Sequence, residues 1–190
     1  MTKIIKSLSI YVAGQDEEEG TIRLFKAYDE SGKVLNEIHY DGSGEPVHEI
    51  EFTYNQQGHE VENKTIYDDE RWESRKSEVD SLGRLSASWL EYPDGSKTEV
   101  KEYYWNEVGD TLTVKSKDDE GETIGVEVFI YNSNKDLIEE RYLDEANEVI
   151  EQYTYTYDTA NRLVKKVGEF GGFETVETFE YQFDGENRML

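Results

Sequence analysis

The 190-residue sequence predicts an all-β fold, an antiparallel meander of about fourteen short strands. Three observations carry this reading. An eight-residue turn motif recurs at intervals of 25 or 26 residues. A looser series of similar turns falls midway between its copies. The segments between turns alternate apolar and polar residues with period two, the pattern of a half-buried strand.

The main series reads YDESGKVL from Tyr28, YNQQGHEV from Tyr54, VDSLGRLS from Val79, WNEVGDTL from Trp105, YNSNKDLI from Tyr131, YDTANRLV from Tyr157 and FDGENRML from Phe183. Position 2 is always Asp or Asn: Asp29, Asn55, Asp80, Asn106, Asn132, Asp158 and Asp184. A short polar side chain there accepts a hydrogen bond from the backbone two residues on. Position 5 is Gly32, Gly58, Gly83, Gly109, Lys135, Asn161 and Asn187. Apart from Lys135 these are Gly and Asn, the residues that tolerate positive φ. A type I turn followed by one left-handed residue is a common hairpin connection, so these positions are read as structural turn residues.

The second series comprises YDGSGEPV from Tyr40, YDDERWES from Tyr67, YPDGSKTE from Tyr92, KDDEGETI from Lys117, LDEANEVI from Leu143 and a degenerate FGGFETVE from Phe170. Together the two series place a turn roughly every 13 residues, so the unit is a 26-residue hairpin with two turns.

Between turns the strand pattern is plain. Ile50, Phe52 and Tyr54 alternate with Glu49, Glu51 and Thr53, and Tyr153, Tyr155 and Tyr157 alternate with Thr154 and Thr156. Phe179, Tyr181 and Phe183 alternate with Glu180 and Gln182. These residue types favour pleated surfaces. No stretch carries a helical stripe, and Pro46 and Pro93 fall in or beside turns. Short connections pair each strand with its sequence neighbours, and many twisted strands curl. The expected architecture is a twisted open or curled repeat sheet in one domain, 1–190. Residues 1–27 form its N-terminal capping hairpin and 28–190 its repeats. Charge on both faces, as at Glu139 with Glu140 or Glu99 with Lys101, favours the open form.

Only 35% of residues are apolar and 34% are charged, against ordinary values near 45–50% and 25%. Fourteen Tyr, seven Phe and three Trp at regular places argue against a solvated coil. The net charge of −24 is spread evenly: residues 1–95 hold 21 acids and 10 bases, residues 96–190 hold 23 and 10. Without clustered Lys and Arg, nucleic acid and anionic membrane surfaces are not expected partners. The charge fits either solubility of a repeat sheet or a basic protein partner. No cysteine is present, which excludes disulfides and thiol chemistry. The stretch SLSIYVAG is too short and polar for a signal-peptide core. As given, the chain is expected in the cytoplasm, or exported if it is part of a larger protein.

The turns beginning at Val79 and Tyr157 resemble the YD repeat, Y-D-x-x-G-R-L, of the Rhs family. That family includes bacterial Rhs and wall-associated polymorphic toxins, insecticidal toxin-complex subunits and teneurins. The resemblance spans residues 28–190. It implies a spiralling β-sheet used as a shell or scaffold, with no catalysis in the repeats themselves. The chain is short for a closed shell and more acidic than the motif requires.

Little else points to chemistry. His39, His48 and His59 lie within 21 residues, with His39 and His48 placed to sit across a hairpin from each other. They lack the further ligands of a zinc site. The acidic runs at Asp16–Glu19, Asp68–Glu70 and Asp118–Glu120 do not match an EF-hand loop. Carboxylate spacing singles out no glycosidase pair. No catalytic, cofactor-binding or metal site is assigned. The aromatics read as cross-strand ladders. Trp72 and Trp89, which lie off the main series, are the candidates for contact with a partner. The functional expectation is a non-catalytic scaffold for protein interaction or a structural shell. An acidic immunity or antitoxin protein neutralising a basic toxin is the first alternative, and a carbohydrate-binding module the second. Oligomeric state is left open.

Overall fold

The computed structural model describes residues 6–13 and 20–182. Asp184, Asn187, the run Asp16–Glu19 and parts of the N-terminal hairpin lie outside the described residues. Fourteen strands follow one another: β1 Ser7–Val12, β2 Thr21–Tyr28, β3 Val34–Tyr40, β4 Pro46–Tyr54, β5 Glu60–Ile66, β6 Trp72–Val79 and β7 Leu85–Glu91. They continue as β8 Lys97–Trp105, β9 Thr111–Lys117, β10 Thr123–Tyr131, β11 Leu137–Leu143, β12 Val149–Tyr157, β13 Leu163–Phe170 and β14 Phe173–Thr178. Spatial order equals sequence order, and the sheet is open, with β1 and β14 as its end strands. No helix occurs among the described residues.

By contact density the chain divides into two compact units, Met1–Val100 and Lys101–Leu190. Within each, strands pair antiparallel with their sequence neighbours. Turns therefore alternate between two margins: the main series on one, the second series on the other.

A register shift recurs at the first residue of the motif. It falls between Ala27 and Tyr28, Thr53 and Tyr54, Glu78 and Val79, Ile130 and Tyr131, and Thr156 and Tyr157. One extra residue per turn is the mark of a bulge closed by a left-handed residue. The β5–β6 connection lacks it: Ile66 faces Trp72 and Thr65 faces Glu73, with no step between them. That missing residue accounts for the single 25-residue interval. The Phe170 turn also departs from the motif. Gly171 (φ 57°) and Gly172 (φ 81°) form a two-residue loop with Phe170 facing Phe173, which two consecutive positive φ angles require. It is a different turn type from the degenerate copy expected.

Burial is shallow. Among the described residues only Ser74, Leu90, Val114 and Gly168 are buried. Every element belongs to the sheet, so each face is covered by its own side chains, and stability rests on cross-strand neighbours. Alternation puts Tyr153 opposite Glu140 and Glu151 opposite Tyr142, and Lys76 opposite both Glu62 and Trp89.

A repeat sheet held by nearest neighbours tolerates loss of a whole unit. Deleting Tyr131–Thr156 seats Tyr157 after Ile130, where Tyr131 stood, and should leave a β-type circular dichroism spectrum with cooperative unfolding. Deleting residues 144–156 joins Leu143 to a main-series turn on the wrong margin and should abolish cooperativity. Identical behaviour of the two deletions would contradict the 26-residue unit.

Candidate functional site

Each turn is closed by its position-2 side chain. Asp29 Oδ1 accepts the amide N–H groups of Ser31 and Lys33 at 2.8 and 2.9 Å. The Asp29 amide donates to the Lys33 carbonyl at 2.8 Å. The same pair of side-chain bonds recurs at Asn55, Asp80, Asn132 and Asp158, and in the second series at Asp41, Asp118 and Asp144. Hydrogen bonds to the charged form favour it. The backbone N–H of Arg84 holds the Asp80 carboxyl below its usual range, and that of Arg162 does the same for Asp158. Position 5 is left-handed throughout the described copies, with φ 77° at Gly83, 72° at Gly109, 70° at Lys135 and 61° at Asn161.

Two turns vary. In the loop after Trp105 the closing bond reaches one residue further, the Asn106 amide donating to the Thr111 carbonyl at 3.0 Å. In the loop at Pro93 the closing pair shifts to Tyr92 and Ser96, which leaves proline where no donor is needed.

Main-series turns are also fastened to one another. In the first unit, Lys33 Nζ donates to the Gly58 carbonyl at 3.0 Å and Tyr54 Oη to the Val34 carbonyl at 2.9 Å. The His59 imidazole lies against Gly83, in the space a Cβ would take. In the second unit, Lys135 Nζ reaches the Gly109 carbonyl at 2.8 Å and Asn161 Nδ2 reaches Asp136 Oδ1 at 2.5 Å. Tyr157 Oη donates to the Leu137 carbonyl and Tyr181 Oη to the Leu163 carbonyl, both at 2.8 Å. The tyrosine hydroxyl thus crosses to the previous turn on the same margin. The sequence pattern reads these tyrosines as a ladder; Tyr54 and Tyr157 stand at position 1 of the motif, and Tyr181 two residues before Phe183.

The two margins differ in charge. In the first unit the second-series turns 41–45, 67–71 and 92–96 hold six acids and one base, Arg71, whereas the main-series turns 29–33, 55–59 and 80–84 hold three acids and two bases. In the second unit the second-series turns 118–122 and 144–148 hold seven acids and no base. Its main-series turns 106–111, 132–136 and 158–162 hold four acids with Lys135 and Arg162.

Trp72 and Trp89 lie half-buried on one face of the first unit. Lys64 Nζ sits 4.3 Å from the Trp72 ring centre and Lys97 Nζ 4.5 Å from that of Trp89, within cation–π range. Trp89 Nε1 donates to Glu91 at 3.2 Å, and Glu91 also binds Lys76 at 2.8 Å. Each indole is therefore engaged by its own sheet. In the second unit, Tyr142 and Tyr155 both donate to Glu140, Tyr155 at 2.7 Å, and Tyr153 donates to Glu151. The hydrogen bond to Glu140 pushes the Tyr142 phenol up; burial, then Glu140, does so for Tyr155.

His39 and His48 are brought together as neighbours in register, their rings stacked at 4.4 Å and 17°. Glu37 Oε2 lies 3.5 Å from His39 Nε2, and Glu37 Oε1 holds Lys26. His59 stands apart, against Gly83. Burial, then His39, lowers the His48 pKa. Among the described residues no group of three or more His, Asp or Glu is placed to hold a metal ion.

No protein-family model matches the chain, and no curated protein matches it. Among solved structures, the crystal structure of TcdB2-TccC3-Cdc42 matches with a TM-score of 0.51 and 14% identity over 97% of this chain. A chain of the Photorhabdus luminescens Tc holotoxin pore matches at TM-score 0.37 and 14% identity over 100% of this chain. A porin-like protein from Bacteroides uniformis matches at 0.37 and 10% identity, over 90% of this chain and 93% of its own. The first match establishes the fold alone. This chain spans 12% of the length of each of the two toxin chains.

Two outcomes follow from the turn and histidine geometry. A Cβ added at Gly32 would meet open space, but φ there is 87°, so Gly32→Val should cost about 1–2 kcal/mol in urea unfolding. Gly83→Val should cost more, because the His59 ring must move, and His59→Ala should erase the excess; equal costs with His59 in place would sink the contact. For His48, a folded pKa below the unfolded value near 6.5 means the unfolded chain binds the proton first. Stability is full above that value and falls as pH drops through it toward the folded pKa. Melting temperature should decline from pH 7.5 to 5.5, and His48→Phe should flatten the decline.

Proposed function

We propose that the chain is a non-catalytic repeat scaffold whose role is to present a protein-binding surface. The observation that carries this reading is how the motif uses its polar groups. The position-2 oxygens are taken by turn amides. Tyrosine hydroxyls are taken by carbonyls of the preceding repeat. The repeated residues thus build the sheet, and the variable residues between them are left to face a partner. The resemblance of the turns to the YD repeat supports the same reading. So does the fold shared with part of a TcdB2–TccC3 chain, solved in an assembly whose name includes Cdc42. By that analogy the scaffold belongs to a protein assembly and takes a protein partner.

The acidic inhibitor is kept as a second reading because of one feature, the second-series margins with six acids to one base and seven acids to none. Such a field attracts basic molecules and speeds encounter. The two readings separate in salt. At about 0.15 M the screening length is about 8 Å, so only short-range complementary contacts persist. An inhibitor should hold a toxin encoded in its genomic neighbourhood with roughly nanomolar affinity at that salt while releasing cytochrome c and lysozyme. Loss of all three complexes between about 0.02 and about 0.15 M salt removes the inhibitor reading; retention of a non-basic partner by the same chain supports the scaffold.

A further inference from the structure

The hairpin joining β13 to β14 differs from the YD-type turns beside it. Its loop is Gly171–Gly172, with no Asp or Asn oxygen to close it. Phe170 and Phe173 flank that loop as a register pair and are 63% and 78% exposed. Glu151 of β12 pairs with Phe170, which brings the start of β12 alongside, where Val149 and Ile150 are 50% and 49% exposed. These four residues are among those that line an open depression of about 360 Å³. Glu151, Glu169 and Glu174 complete its wall, and neither Lys nor Arg lines it.

Exposed apolar side chains gathered in one patch with a polar rim mark an interaction surface. The tryptophans singled out from sequence have lysines over their rings, whereas these phenylalanines carry the open aromatic area. We infer that the depression at Gly171–Gly172 docks a protein segment bearing a bulky apolar side chain flanked by Lys or Arg. The apolar floor takes the side chain, and Glu151, in register with Phe170 and so on its face, takes a flanking cation, with Glu169 and Glu174 adding negative charge at the hairpin. A second copy of this chain is disfavoured as occupant: a two-fold contact would set the same carboxylates against each other, between molecules of net charge −24. The inference rests on the protein-binding reading above and names the surface and the chemistry of the partner.

The test is an NMR titration of the ¹⁵N-labelled full chain with three synthetic peptides, KLWLK, ELWLE and KSGSK. KLWLK should shift amides of residues 149–152 and 169–174. ELWLE should bind about tenfold more weakly, and KSGSK should leave those amides in place. Phe170 and Phe173 are largely exposed, so the Phe170→Ser, Phe173→Ser double variant should keep the remaining spectrum and lose the KLWLK shifts. Equal binding of KLWLK and ELWLE, shifts from KSGSK at the same residues, or KLWLK shifts that survive the double variant would each overturn the proposal. The readout is local to β12–β14. Loss of the toxin complex in the salt experiment with localised KLWLK shifts here would remove the inhibitor reading and leave this surface standing.

Discussion

The structure depends on one repeated interaction, a single side-chain oxygen shared by two turn amides. At Asp29, Asn55, Asp80, Asn132 and Asp158 that oxygen satisfies the donors two and four residues on. A sheet with four buried residues among those described has little core to impose strand register. The turns must do it instead, and the bulge at position 1 lets them. A one-residue slip would send every side chain to the opposite face. Local chemistry therefore takes over a task that a packed interior performs elsewhere.

Cross-repeat bonds extend this control beyond one hairpin. Tyr54, Tyr157 and Tyr181 each donate to a carbonyl at the start of the preceding strand, beside the previous main-series turn. Lys33 and Lys135 link neighbouring turns through the carbonyls of Gly58 and Gly109. These bonds are neutral or carry a cation, so they draw like-charged turns together. The carboxylates in excess gather at the other margin, where the described turns share fewer such links. Net charge and repeat cohesion are thereby separated in space.

Much of the fold was legible because its rules are local. Asp or Asn at position 2 and Gly or Asn at position 5 dictate a turn without reference to the rest of the chain, and alternation such as Ile50, Phe52, Tyr54 dictates a strand. What was not legible depends on register. The bulge-free Ile66–Trp72 connection and the two-residue Gly171–Gly172 loop keep nearly the same spacing as the motif. The candidate site was harder to read for a related reason. Trp72 and Trp89 stand out by type, but the lysines that cover them come from neighbouring strands. Phe170 looked like one more position-1 aromatic, and its exposure follows only from the changed loop.

The division of labour between the margins also sets where this molecule is free to vary. A change in a main-series turn is felt twice, in its own loop and in the next one, through contacts such as His59 against Gly83. There the described departure is mild, a closing bond displaced by one residue in the loop after Trp105. A second-series turn answers chiefly to itself: the 67–71 loop has lost its bulge, the 92–96 loop has shifted frame by one residue, and the 171–172 loop has been replaced. One side of the sheet thus acts as a spine and the other as a row of exchangeable fingertips, where new recognition can be acquired one hairpin at a time without renegotiating the fold.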